Sequence, residues 1–351
     1  MPRTTAAAPR FRLNPSLVIT SHEEGLRVTD AMSGQEYAAP PAVVSLLVAF
    51  SGEAPLAEAL APFRDDRLPA LRASFRQLVA WGLLVPSGER SPSSPWSAMD
   101  RAFHTQMEHE DAGHVPASTP PRRDRAHVAR DRRKPIALAR WQVASTQGFR
   151  EVLLRRRTVR SFSRRPMTLD VLATFLGDAA AAHDGRRATP TATRYSLVSY
   201  VVCYRVAGLE EGVYEHDPDS HSLRWVTPLG REGARLLRRT SRGMGGPTRS
   251  PTRGQGKPSV VIVSTALFGR ALPEFRRIGY HLILREAGAQ LQTFYLVAAS
   301  LGLAPCVLGA WEGKRLDAWL GLDGVHEGVV GVFALGVPAS ASATPPTEVR
   351  A

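Results

Sequence analysis

The sequence predicts an α+β chain of two domains, a small helix-and-strand unit followed by a larger domain with a central sheet and one long core helix. Three observations predict it. Short extended runs and helical-period apolar stripes share residues 11 to 86. Periodicity then fails between residues 87 and 135, where Pro, Ser and Arg dominate. Beyond that stretch, apolar strands such as Val260-Val261-Ile262-Val263 flank an apolar helix from about Ile278 to Leu301. A length of 351 residues with 43% hydrophobic content accommodates two such cores. The expected boundaries are 1–90 for the first domain, 91–135 for a linker and 136–340 for the second domain, with 341–351 a disordered tail.

In the first domain, Leu17-Val18-Ile19 and Leu26-Arg27-Val28-Thr29 read as strands, and Ala42 to Phe50 as an apolar helix. Leu71, Phe75, Leu78 and Val79 recur at helical spacing, stopping near Gly82 before an extended Leu83-Leu84-Val85-Pro86. This order of helices, strands and closing hairpin limb is a winged-helix pattern, which does not by itself mean DNA binding.

The linker carries Ser91-Pro92-Ser93-Ser94-Pro95 and a basic run from Arg122 to Lys134, composition that stiffens and swells a chain. In the second domain, Thr168 reads as an N-cap, and Leu169, Leu172, Phe175 and Leu176 form a stripe ending at Gly177. Extended segments follow at 195–206, 213–215 and 222–226, the last two parted by the turn residues Asp217-Pro218-Asp219. A Gly/Arg/Pro loop spans 241–257. After it come the 260–263 strand, the long helix, a strand over 306–311, a short helix near 316–320 and a final strand over 329–335.

Composition removes several classes of function. No run of about 18 apolar residues exists and the N-terminus lacks an apolar signal core, so the expected location is the cytoplasm with no membrane association. Cys203 and Cys306 each sit in an apolar run and read as buried free thiols. His104, His109 and His114 lie in a polar stretch without metal-ligand spacing, so no metal is expected. A net charge of +13 attracts anions of many kinds, but no basic stripe interleaved with aromatics argues for nucleic acid.

In Arg155-Arg156-Arg157-Thr158-Val159-Arg160-Ser161-Phe162, four arginines flank one hydroxyl residue, Thr158, within the first six positions. Guanidinium forks and a Thr hydroxyl converge well on a phosphate dianion. Charge alone equally allows a solvated helix end.

This segment with Pro166-Met167-Thr168-Leu169-Asp170, then Gly208 to Pro218, Arg285 to Gln292, and Leu301-Gly302-Leu303 with Cys306 to Trp311, resembles the nitroreductase-like FMN flavoproteins in content and order. Within them it resembles the SagB-type dehydrogenases (azoline oxidases). The resemblance covers residues 150 to 337. The front domain is similar to the PqqD-like peptide-recognition domain.

The resemblance implies a dimeric fold with FMN at the subunit interface. It implies that Arg156, Arg157, Thr158 and Arg160 grip the cofactor's phosphate and ribityl chain, that backbone around Gly309 and Ala310 lies against the flavin, and that Gln292 matches a family glutamine. In the flavin-side stretch, Pro190 to Val198 departs from the family pattern while Arg194 is retained in place, and Thr191 and Arg194 are the candidate cofactor contacts there. The Lys-Tyr pair of azoline-oxidising members falls here on Glu274 and Phe275. Phenylalanine exchanges no proton, and Glu is a weaker base unless burial raises its pKa. Tyr280 and Glu274 are therefore the catalytic candidates.

Three functions follow. The first is FMN-dependent dehydrogenation of azolines to azoles in a ribosomal peptide. The second is reduction of dehydroalanine or dehydrobutyrine on the same scaffold, with Tyr280 as proton donor. The third is a non-catalytic peptide-binding subunit. The implied partners are a precursor peptide whose leader the front domain holds, a cyclodehydratase or dehydratase, and a second copy of the chain.

Overall fold

A computed structural model of the protein describes residues 8–22, 25–31, 35–87, 99, 103, 133–139, 148–181, 197–235, 257–269, 272, 278–309, 311 and 313–339. The chain divides into two compact units, Met1–Ala112 and Gly113–Ala351.

In the first unit, β1 (Arg10–Leu13), β2 (Leu17–His22), β3 (Gly25–Asp30) and β4 (Glu36–Ala39) precede α1 (Pro41–Ala49). Next come β5 (Ala54–Pro55), α2 (Leu56–Leu60), α3 (Leu68–Ala80) and β6 (Leu84–Pro86). Among the described residues the strands form two antiparallel sheets, ordered β5-β1-β6 and β2-β3-β4. The predicted stripe of α3 is the buried one: Leu71, Phe75 and Leu78 pack with Leu46, Phe50 and Leu84. Phe11 meets Phe75 edge-on, with ring centroids 4.9 Å apart.

Gly82 ends α3 as predicted. At φ +70° it turns the chain so that Leu83 N–H donates to the Leu78 carbonyl (2.9 Å) and Gly82 N–H to that of Val79 (3.0 Å). The winged-helix expectation omits β1, β4 and β5, which have four, four and two residues and are too short to show alternation. The unit is a mixed helix-and-strand domain.

The second unit contains β7 (Ile136–Ala137), α4 (Phe149–Arg155), β8 (Met167–Thr168), α5 (Leu169–Ala181), β9 (Leu197–Cys203), β10 (Val206–Ala207), β11 (Gly212–Asp217) and β12 (Ser222–Pro228). It continues with β13 (Val260–Leu267), α6 (Gly279–Ser300), β14 (Ala304–Val307), α7 (Gly313–Leu320) and β15 (Glu327–Gly336). Seven strands make an antiparallel sheet ordered β14-β15-β13-β9-β11-β12-β7 among the described residues. The core helix α6, 22 residues and so about 33 Å long, packs Phe294, Tyr295 and Ala298 with Phe175 and Phe333. Phe162, Leu316 and Leu320 belong to a second core cluster with Tyr200, Val202 and Val332. Central β13 is buried along nearly all its length, the reason its first half, Val260-Val261-Ile262-Val263, reads as an apolar run.

Thr168 caps α5 through its hydroxyl, which accepts from Val171 N–H at 3.3 Å. The helix does not stop at Gly177 but runs to Ala181, because Ala179, Ala180 and Ala181 are the best helix formers. The strand expected over 306–311 ends at Val307. Leu308 still donates to the Val332 carbonyl (2.9 Å), and the chain leaves the sheet at Gly309. The loop expected over 241–257 and the tail over 341–351 lie almost wholly outside the described residues. Cys203 and Cys306 are buried free thiols, as expected. No described helix is long and apolar enough to cross a membrane.

Candidate cofactor site

The arginine segment begins where α4 ends. Arg155 remains on the helix surface, paired with Glu151 one turn earlier at 3.0 Å. From Arg156 (ψ 115°) the chain is extended. Val159 N–H then donates to the Pro305 carbonyl at 2.8 Å, which lays the segment against the entry of β14. Ser163 N–H and Ala339 N–H bond the carbonyls of Val337 and Ser161 (2.8 and 3.2 Å), and Phe162 is buried between. The cluster is therefore strapped to two strand ends.

At its centre is a residue that the sequence reading omits. Tyr295, buried on α6, places its hydroxyl 2.9 Å from that of Thr158 and accepts a hydrogen bond from Val307 N–H at 3.0 Å. The Arg156 guanidinium carbon lies over the same ring, 5.4 Å from its centroid. With Val307 donating into the phenolic oxygen, the phenolic proton can point to Thr158, leaving the Thr158 proton to donate outward. Arg160 is exposed, and its charge partly offsets the upward pKa shift that burial imposes on Cys306 of β14. Arg157 is exposed on the same segment.

Two residues beyond Val307, roughly 7 Å at strand spacing, is Gly309. A Cβ built on it would meet no heavy atom within 4 Å among the described residues beyond its chain neighbours, so this backbone has room on its Cβ side. Arg156, Thr158, Arg160 and Gly309 thus fall along one short path from α4 to the end of β14. Thr191, Arg194, Glu274 and Ala310 lie outside the described residues.

Gln292 is exposed on α6. The buried glutamine is Gln290, which accepts from Ser264 Oγ at 2.6 Å. Tyr280 is 41% exposed in the first turn of α6, its ring 6.2 Å from that of Phe268. Fifteen residues separate it from Tyr295, about 22 Å along the helix axis, so the structure does not join it to the arginine segment. The sequence reading also omits Glu327, fully buried, whose carboxylate accepts from Thr265 Oγ1 (2.6 Å) and the Tyr200 hydroxyl (3.1 Å). The visible signal was Ser264-Thr265 interrupting the β13 apolar run.

The chain belongs to the nitroreductase family, which matches residues 153–337. A nitroreductase of Methanocaldococcus jannaschii is 31% identical over 169 residues, 47% of this chain and 80% of that protein. A solved nitroreductase of Anabaena variabilis superposes with TM-score 0.50 at 18% identity, covering 72% of this chain and 50% of the other. A chain of the McbBCD microcin synthetase complex of E. coli, with truncated pro-MccB17 bound, gives TM-score 0.42 at 18% identity over 79% of this chain and 95% of that one. The likeness to the Anabaena variabilis structure is of fold alone.

Family members typically bind flavin. The residues present fit such a group: an anchored hydroxyl and two arginines suit its phosphate, and the open backbone at Gly309 suits its ring.

Proposed function

We propose that the chain is an FMN-dependent oxidoreductase that acts on a ribosomally made peptide, dehydrogenating azolines to azoles. The observation that carries the cofactor assignment is the Thr158–Tyr295–Val307 chain of hydrogen bonds, with Arg156 stacked on the same tyrosine. Arg156 and Arg160 would hold the phosphate by charge-assisted hydrogen bonds, with Thr158 as a further donor and the Gly309 backbone beside the ring. When bound, FMN supplies a hydride acceptor for the ring carbon that loses hydrogen. The accompanying proton would go to a protein base, for which Glu274, standing where azoline-oxidising members carry lysine, is the candidate.

A peptide substrate is supported by the first unit. Among its described residues, β4 pairs only with β3, so its outer edge can take an added strand from a leader. A homodimer is supported by the apolar face that α4 leaves exposed: Phe149 is 70% and Leu154 64% accessible.

Alkene reduction is the second reading, favoured by the exposed Tyr280 as a proton donor and by Phe275 at a position where azoline oxidation calls for a titratable group. The two readings separate by substrate mass. Incubation under oxygen without NAD(P)H should remove two hydrogens from the peptide if the first holds. Gain of two hydrogens, anaerobically and with a reductant, would replace it with the second.

A further inference from the structure

A cleft of about 630 Å³, lined by none of Arg156, Thr158, Arg160 or Gly309 among the described residues, opens beside the β9–β10 turn at Tyr204 and Arg205. Among the described residues, Arg164, Arg205, Arg231 and Lys257 line it, with Tyr204 and a single acid, Glu211. Its size is that of a small-molecule site rather than a protein-binding face. Four cations face one carboxylate. None of the four has an ion-pair partner among the described residues.

Arg205 makes this a built arrangement rather than a patch of loose side chains. Its backbone N–H donates to the Ser259 carbonyl (3.1 Å) and its carbonyl accepts from Met167 N–H (3.1 Å). Its guanidinium donates to the carbonyls of Ser163 (3.1 Å), Arg164 (3.1 Å) and Lys257 (2.5 Å). One side chain thereby clamps the backbones of Arg164 and Lys257, and brings their own side chains to the same mouth. All three acceptors are neutral, so the clamp keeps its full positive charge. Its Nε is shielded from solvent and meets no acceptor among the described residues. A preorganised cluster of guanidinium and ammonium groups around a concavity is matched by the multiple oxygens of a phosphoryl group better than by a lone carboxylate.

We propose that this cleft is a second anion site, separate from the flavin-binding segment, and that it takes a small phosphorylated ligand bearing one or two phosphoryl groups. The inference stands on this cleft alone and does not depend on which reaction the flavin site performs.

The test is calorimetric titration of the full-length protein, with the flavin absorbance followed in parallel. The probe is inorganic pyrophosphate at about 50 mM salt, where screening is modest. Saturable one-to-one binding is expected. Arg231→Ala with Lys257→Ala, both exposed and outside the flavin segment, should weaken it by about tenfold or more, a loss of roughly 1.4 kcal/mol or more. Arg10→Ala with Arg67→Ala removes the same charge from the first unit and should leave the affinity within about twofold. An ADP arm distinguishes the sources: tighter binding than pyrophosphate indicates a nucleotide, weaker binding a free phosphate compound, and either supports the site. The proposal is overturned if pyrophosphate does not saturate, if both double variants lose affinity equally, or if a hexaglutamate peptide binds more tightly than pyrophosphate. Release of flavin by pyrophosphate with no effect of Arg231→Ala/Lys257→Ala would place the anion on the Arg156 segment and also overturn it.

Discussion

The Thr158 hydroxyl lies 2.9 Å from the hydroxyl of Tyr295, which ties the arginine segment to the core helix and, through Val307 N–H at 3.0 Å, to β14. Tyr295→Phe removes both bonds at once. It should lower unfolding free energy by about 1–3 kcal/mol, because a part-buried Val307 N–H loses its acceptor. It should also weaken FMN binding about tenfold, since the Thr158 hydroxyl loses its orientation. Denaturant melts and flavin fluorescence titrations measure the two effects. Unchanged FMN affinity in Tyr295→Phe would show that Thr158 does not contact the cofactor.

The arginines of the segment should divide by environment. Arg155 sits in an exposed pair with Glu151, of a kind worth between zero and about 1 kcal/mol, so Arg155→Ala should retain FMN. Arg156→Ala combined with Arg160→Ala should release it on gel filtration. Full flavin retention in that double variant would refute the phosphate role.

Two glycines near the ends of the site strands should behave oppositely. A Cβ at Gly336 would lie 2.8 Å from the Phe162 ring and 3.1 Å from Ser259 N, so Gly336→Ala should destabilise the fold by about 1–3 kcal/mol. At Gly309 the same probe meets nothing within 4 Å among the described residues. Gly309→Val should therefore leave the melting temperature of flavin-free protein nearly unchanged while lowering its affinity for FMN. A cofactor affinity equal to that of the parent protein would mean that the ring does not pass over this backbone.

His216 of β11 gives the second domain an acid sensitivity. Burial first, and the neighbouring His221 second, lower its pKa from 6.5 to about 4, with Asp217 acting in the opposite sense. The unfolded chain binds the proton more readily, so the neutral imidazole's contribution is fully present above pH 6.5 and is lost as pH falls toward 4. The loss is roughly 3 kcal/mol at about 1.4 kcal/mol per unit. His216→Leu should flatten the fall in melting temperature between pH 6.5 and 4. An identical fall in this variant would assign the acid sensitivity to other groups.

Much of this was legible in residue order. Leu71, Phe75 and Leu78 named the buried face of α3, Gly82 its end, and Thr168 the cap of α5, because each rests on contacts within one or two turns. The long helix and the run at Val260 were readable for the same reason, since both carry their burial along their own length. Tyr295 was not legible. Its role depends on Thr158 and Val307, which are 137 and 12 residues away in sequence, and on a helix face that looks apolar until the sheet is placed against it. Glu327 likewise looks like a surface acid until Thr265 and Tyr200 are brought beside it. Strands β1, β4 and β5 escaped because partners, not their own periodicity, define them.

The visible absorption spectrum of the purified chain, recorded before and after incubation with FMN, addresses the flavin assignment with the fewest intervening steps. Bands near ~370 and ~450 nm that stay with the protein through gel filtration are the predicted result, as flavin chemistry requires. A colourless protein that takes up no FMN would contradict it.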